Sequence, residues 1–394
     1  MKYFLLFIFI CFIYLNIYSD DKFLDKIQKD SFNYFLYLYD ETLGLIPDSS
    51  REGSPCSIAA CGFGIVSFCI AAERNWISKE EAYRRIYKTL KSFLNKVGNK
   101  NGFFYHFVGM KTGERVWLSE VSSIDTALFL AGAIVAAEYF KGTEVEILVN
   151  KIYDRVNWKW MLDEDKGLMY MGWKPEQGFL PYYWQDYSEL IVLLALAIGA
   201  KENSIPEECW YKWEREKVKI YNYEYIASET GSLFTYQYPH IFIDFRKLLD
   251  KFGNINYFEN SKIATLVDIE FCKRLKYKYK THTLGFWGLS ACLGPQGYRG
   301  YGAGPKKALY DGTVAPSAVA GCIIFLPEVC ISSLKIIYDT LKDKVYCEYG
   351  FVNGFNLEYN WFSRECLGID TGVILLSIEN YRSGFVWKHF MKNE

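Results

Sequence analysis

The sequence predicts an all-α fold, an (α/α)6 toroid with a few short β-hairpins in its loops. Three observations predict it. Segments that are apolar or rich in small residues recur along the whole chain, and a helix apolar on every side must be buried on every side. Amphipathic segments lie between them, with apolar residues at helical spacing and charges on the other face. Strand signals are sparse and short.

The elements follow in order. Residues 1–19 read as a secretory signal, with Lys2 ahead of an apolar run and the small Ser19 at its end. Residues 20–394 then form one domain, because no Pro/Ser-rich linker or low-complexity stretch divides them. The inner ring is expected from residues 57–72, 122–138, 187–200, 237–250, 313–325 and 367–380. The segments 79–97 and 144–156 are amphipathic and belong to the outer ring. "GFFYHFV" (102–108) and "GLMYMGW" (167–173) are expected hairpin strands. The Gly-rich 294–312 lacks the ending of a phosphate loop and reads as a long shaping loop over a cleft.

Composition narrows the function. The chain has 45 basic and 46 acidic residues, so no electrostatic case for nucleic acid exists. Beyond the signal segment no stretch is long and apolar enough to span a bilayer. Ten of the eleven cysteines lie outside that segment. Most sit in apolar runs, which points to buried thiols. Neither C-x-x-C nor zinc-ligand spacing occurs, and no cofactor or metal is expected. A monomer is expected. The aromatic content of 18% suits sugar rings, although a codon bias would raise it equally well.

The candidate chemistry sits at the heads of the inner helices. In "SEVSSID" (119–125), Ser122 and Asp125 form a capping-box variant, S-x-x-D. Glu120 falls before that cap and has no such structural reason. "GWKPEQGFLPYYWQDYSEL" (172–190) gathers Trp173, Glu176, Trp184 and Glu189 before the third inner helix. "QYPHIFIDFR" (237–246) brings Tyr238, His240, Asp244 and Arg246 to the fourth. Asp311 precedes the fifth and Asp370 heads the sixth. Each acid alone is as well explained by a cap or an ion pair. Together, at one face of a ring, they would line a cleft of carboxylates and aromatics, which is what glycoside hydrolysis needs. Glu120, Glu189 and Asp370 are the candidate catalytic acids. Asp125, Trp173, Glu176, Trp184, Tyr238, His240, Arg246 and Asp311 are candidate substrate contacts. Burial would raise Glu189 and a helix N-terminus would lower it, so its sign stays open. Side chains two apart on a helix diverge, so Arg246 is expected to reach substrate or another motif rather than Asp244.

The motifs "GFFYHF", "SEVSSIDTALFLAGA", "GWKPEQGF", "QYPHIFIDFR", "DGTVAPSA" and "LGIDTGVILLSIENYRSGFVW" resemble the bacterial glucoamylase-like family, which includes exported β-1,2-glucanases. The resemblance runs from about Phe32 to Phe390. It implies an (α/α)6 toroid and metal-free, inverting hydrolysis of a β-glucan, most of all β-1,2-glucan, by an exported, periplasmic or extracellular enzyme. It carries over the segments holding Glu120 and Asp125, Glu189, and Asp370. An endo-acting enzyme is the leading expectation. An exo-acting, disaccharide-releasing hydrolase, a lyase using Tyr238 and His240, and a non-catalytic glycan binder stay open. The many cysteines and "SACLGP" (290–295) depart from the family pattern.

Overall fold

The computed structural model describes residues 2–304 and 308–393, with side chains from Asp20 onward. The expected signal segment lies outside the residues whose side chains are described. Its described backbone, residues 2–19, runs on into the first long helix. The described helices are α1 (Lys2–Tyr37), α2 (Ile58–Glu73), α3 (Lys79–Asn95), α4 (Ser123–Tyr139), α5 (Glu144–Asp154), α6 (Leu190–Gly199), α7 (Phe234–Phe242), α8 (Tyr257–Arg274), α9 (Lys280–Thr283), α10 (Pro316–Gly321), α11 (Pro327–Val345), α12 (Gly368–Ser383) and α13 (Phe385–Phe390).

Six of them pack in a closed order. Helix α2 lies on α4, α4 on α6, α6 on α7, α7 on α10, α10 on α12, and α12 returns to α2. These are the apolar segments. Every residue of α2 except Glu73 is buried, because "IAACGFGIVSFCIAA" offers no polar face to water. The α2–α4 contact is the closest of the set, and glycine permits it. A Cβ on Gly132 would stand 2.2 Å from the Gly62 carbonyl oxygen. Around the six lie α1, α3, α5, α8 and α11. Helix α3 shows why they stay outside: Ala82, Ile86, Thr89, Leu90 and Phe93 form its buried stripe, and its charges face water.

Short antiparallel pairings set the heads of these helices. Cys56–Ser57 pairs with Phe107–Val108, and Val121–Ser122 pairs with Gly172–Lys174. Each ends in a serine that caps the next helix. Ser57 accepts from the Ala60 N–H and Ser122 from the Asp125 N–H.

Three expectations need correction. The fourth inner helix spans Phe234–Phe242, not 237–250. Pro239 sits inside this helix, which begins earlier, at Phe234. The chain leaves at Ile243, and Phe245–Lys247 is a separate 3-10 turn capped by Asp244. The fifth is short, ending at Gly321 and continuing as the 3-10 turn Cys322–Ile324. Between α6 and α7 the outer layer holds no α-helix among the described residues. A 3-10 turn, Glu207–Tyr211, and a hairpin, Lys217–Ile220 with Tyr223–Ile226, stand there.

Candidate functional site

A cavity of about 270 Å³ opens at the heads of the inner helices. Its wall includes Asp48, Arg51, His106, Trp117, Tyr298 and Glu365. That volume is near the lower end of ordinary small-molecule pockets, roughly 300–1,000 Å³.

His106 organises the carboxylates behind this wall. Its Nδ1 lies 2.9 Å from Glu120 Oε1 and its Nε2 lies 3.6 Å from Asp125 Oδ1. The backbone fixes the ring's place: the His106 N–H donates to the Glu120 carbonyl at 2.8 Å, and the Ile58 N–H at the head of α2 donates to the His106 carbonyl. Burial disfavours an imidazolium here, but the Asp125 and Glu120 carboxylates outweigh it and hold His106 up to about 9. The charged ring acts back on its partners. Burial alone would raise Glu120, yet the His106 hydrogen bond and charge pull it below the usual carboxylate range. For Asp125 burial wins, and its pKa is raised despite His106 and the 2.5 Å hydrogen bond from Ser122 Oγ.

Glu189 stands at the N-cap position of α6, in helical conformation and with no side-chain capping bond. Burial pushes it up to about 7, and Asp125 adds to the rise. The open question of sign is thereby answered, because desolvation exceeds the pull of its own backbone N–H. Asp370, in the first turn of α12, accepts from Ser317 Oγ at 3.0 Å and Asn353 Nδ2 at 2.5 Å. Burial again pushes it up to about 7. Asp48 is pushed up to about 6 by burial.

Tyr238 is buried beneath these acids. Burial first, then the charges of Asp370, Glu189 and Asp125, raise its hydroxyl pKa. Tyr298 keeps about half its surface open, at 53%. It lines the cavity, and desolvation and then the charges of Asp370, Asp48 and Glu189 raise its hydroxyl. The hairpin Ala291–Gly294 with Gly297–Gly300 carries it there, so part of the 294–312 loop does border the cavity.

The structure therefore brings Glu120, Asp125, Glu189, Asp370 and Tyr238 to one place. Other candidates are engaged in contacts of their own. Trp184 is half-buried at the head of α4, where its indole N–H donates to Ser123 Oγ at 2.9 Å. Trp173 packs on Trp160 and beside the Lys100 ammonium, and its strand pairs with Val121, next to Glu120. Glu176 is at the tip of a hairpin, in a two-pronged ion pair with Arg115 at 2.5 and 3.0 Å. Asp311 is spent on structure, accepting from the Thr313 N–H and hydroxyl, Asn356 and Tyr301.

Two candidates are overturned. His240 is core, not cleft. It lies two residues beyond Tyr238, within the last turn of α7, fully buried against Phe245, Phe258 and Phe325. Its Nε2 meets Ser261 Oγ at 2.9 Å, and burial drives it down to about 3. It can neither touch substrate nor serve a lyase as proton carrier. Arg246 pairs with Asp244 through Nε at 2.8 Å and Nη2 at 2.6 Å, and lies over Trp387. The divergence argument fails because Asp244 is extended, outside any helix, and caps the turn that holds Arg246.

Sequence reasoning missed Asp48, His106, Trp117 and Tyr298. Asp48 had a usable signal. It is the one acid in "LIPDSS", shortly before the only inner helix to which no acid had been assigned. Its backbone carbonyl accepts from the Gly368 N–H, tying the first inner-helix approach to the head of α12.

A family model described as "Putative glucoamylase" matches residues 181–394. The curated exo β-1,2-glucooligosaccharide sophorohydrolase of Parabacteroides distasonis is 26% identical over 95% of this chain, which spans 57% of that protein's length. A crystal structure of a β-1,2-glucanase from the same organism superposes with a TM-score of 0.88 at 24% identity, over 95% of this chain and 58% of that one. An endo-β-1,2-glucanase from Chitinophaga pinensis, solved with sophorotriose and glucose, gives 0.86 at 24% identity, over 94% and 95% of the two chains. At that identity the two structures speak for the fold alone.

Proposed function

The chain belongs to the glucoamylase-like family, and on that premise we propose that it is an exported, inverting glycoside hydrolase of β-1,2-linked glucan built on an (α/α)6 toroid. The closed packing order of α2, α4, α6, α7, α10 and α12 supports the toroid. The observation that carries the chemistry is the division among the acids. Glu189 is held up to about 7 by burial, while Glu120 is held ionised by His106. Two carboxyls with opposite protonation at neutral pH are the acid and base that glycoside hydrolysis requires.

In this mechanism Glu189 gives its proton to the glycosidic oxygen as the bond to the anomeric carbon breaks. Glu120 takes a proton from the water that attacks the opposite face of that carbon. The product has the inverted configuration, Glu189 ends ionised and Glu120 ends protonated, and solvent exchange resets both. Asp370 is the alternative base, although its raised pKa suits that role less well.

The named activities of the relatives support the β-1,2 linkage. Endo action is the first reading, because the cavity is open along one side to a further groove. Exo release of disaccharides is the second, favoured by the curated relative. The test is product analysis on a panel of β-glucans. New reducing ends should come from β-1,2-glucan. A ladder of oligosaccharides marks endo action, and a single disaccharide from the outset marks exo action. No products from β-1,2-glucan contradict the reading.

A further inference from the structure

Trp117 and Leu118 occupy the two central positions of a turn in which the Ser119 N–H donates to the Val116 carbonyl at 3.1 Å. Both have left-handed backbones, with φ of 57° and 50°. Asn and Gly favour consecutive left-handed residues in such a turn, and large side chains disfavour them. Here the disfavoured conformation holds two large apolar side chains in water, 60% and 70% exposed. Core packing does not explain that arrangement, and strained backbone of this kind concentrates at functional sites.

The turn is also rigid. The Val116 N–H donates to the Phe107 carbonyl, the Gly109 N–H to Glu114, and Arg115 Nε to the Ser119 carbonyl. The Arg115–Glu176 pair anchors its base. Trp117 is joined to the acids through two ring contacts. Its ring centroid is 5.1 Å from that of Phe107, which stacks on His106 at 3.9 Å, and His106 holds Glu120.

A second groove of about 580 Å³ also borders Trp117. It shares Ser49, Arg51, Ser54 and Trp117 with the acid cavity, so the two are continuous. Leu38, Pro47 and Met110 give it apolar walls, while Arg51 supplies an exposed donor. We infer that this groove is an extension subsite for the glucan chain, with Trp117 as the platform on which a sugar ring stacks as the polymer leaves the cavity. The inference rests on the glucanase reading above and adds a length preference to it.

The test compares kcat/KM on polymeric β-1,2-glucan and on the shortest oligosaccharide cleaved, for the wild type, Trp117→Ala, and the double variant Trp117→Asn with Leu118→Gly. Both variants should lose about tenfold on the polymer, as expected for an aromatic anchor, and several times less on the short substrate. The melting temperature of the double variant should hold or rise, since its residues suit the turn. Equal losses on both substrates, or no loss on either, overturn the subsite while leaving the glucanase reading in place. A wild type that cleaves no β-glucan overturns the glucanase reading and the subsite together.

Discussion

Asp370 and Asp268 are both buried, and burial pushes both up to about 7. Their surroundings differ. Asp268, on α8, accepts the backbone N–H groups of Gly288 at 3.1 Å and Leu289 at 3.2 Å, with Cys272 beside it. It pins a loop to a helix. Asp370 is held by the side chains of Ser317 and Asn353, from two other parts of the chain, and raises the hydroxyls of Tyr238 and Tyr298. A shifted pKa is therefore common to a structural acid and a site acid. What separates them is company: other carboxyls in the same field, and a cavity beside them.

The largest effects should break that comparison at the site. Glu189→Gln and Glu120→Gln should each cut kcat by about 10²–10⁴-fold, with melting temperatures close to wild type. Asp268→Asn should leave kcat nearly unchanged per folded molecule. If the Asp268 variant loses as much turnover as the glutamate variants, burial rather than company governs activity.

A smaller effect should follow from His106→Gln. Glu120 then loses the cation that keeps it ionised, so its pKa rises. The acidic limb of the kcat/KM profile should move to higher pH, and kcat should fall by about tenfold. An unmoved acidic limb would remove Glu120 from the base role.

The same groups set the pH dependence of stability. Asp48, Glu189, Asp370 and Asp268 have folded pKa values raised to about 6, 7, 7 and 7. Stability tied to a raised carboxyl is complete below its unfolded pKa and is lost as pH rises through the folded one. His106, raised to about 9, acts in the same direction at higher pH. The melting temperature should fall steadily from pH 5 to pH 9, and Asp268→Asn should flatten the fall between pH 5 and 7. A melting temperature that rises over that window would contradict these assignments.

The inner helices were legible because their apolar character runs around the whole helix, and the Ser122–Asp125 cap because it is local. Glu120, Glu189 and Asp370 could be singled out because they stand where a buried helix begins. Helix α7 was misread at both ends: the expected range began after Phe234 and ran past Phe242 into the separate 3-10 turn, and His240 lies in the core. His106 was missed for a different reason, and so was Asp48 in spite of its place before the first inner helix. Their partners come from other segments, Gly368 at the head of the neighbouring α12 for Asp48 and, through a hairpin, Glu120 for His106. Neither contact leaves a spacing in the sequence.

The smallest effect belongs to Arg246, at the far end of α7 from the acids. Its pair with Asp244 is half exposed and screened, so Arg246→Ala should change stability by less than about 1 kcal/mol and leave turnover intact. A marked rise in KM would restore it as a substrate contact.

The most direct test of the account is the leaving-group dependence of Glu189→Gln. A glycoside whose leaving group needs no proton, such as an aryl glycoside of the β-1,2-linked disaccharide, bypasses the general acid. If Glu189 is the proton donor, the variant should lose about 10²–10⁴-fold on β-1,2-glucan but far less on the aryl substrate, and the alkaline limb near pH 7 should vanish with the latter. Equal losses on both substrates, or an alkaline limb that persists in the variant, would contradict it.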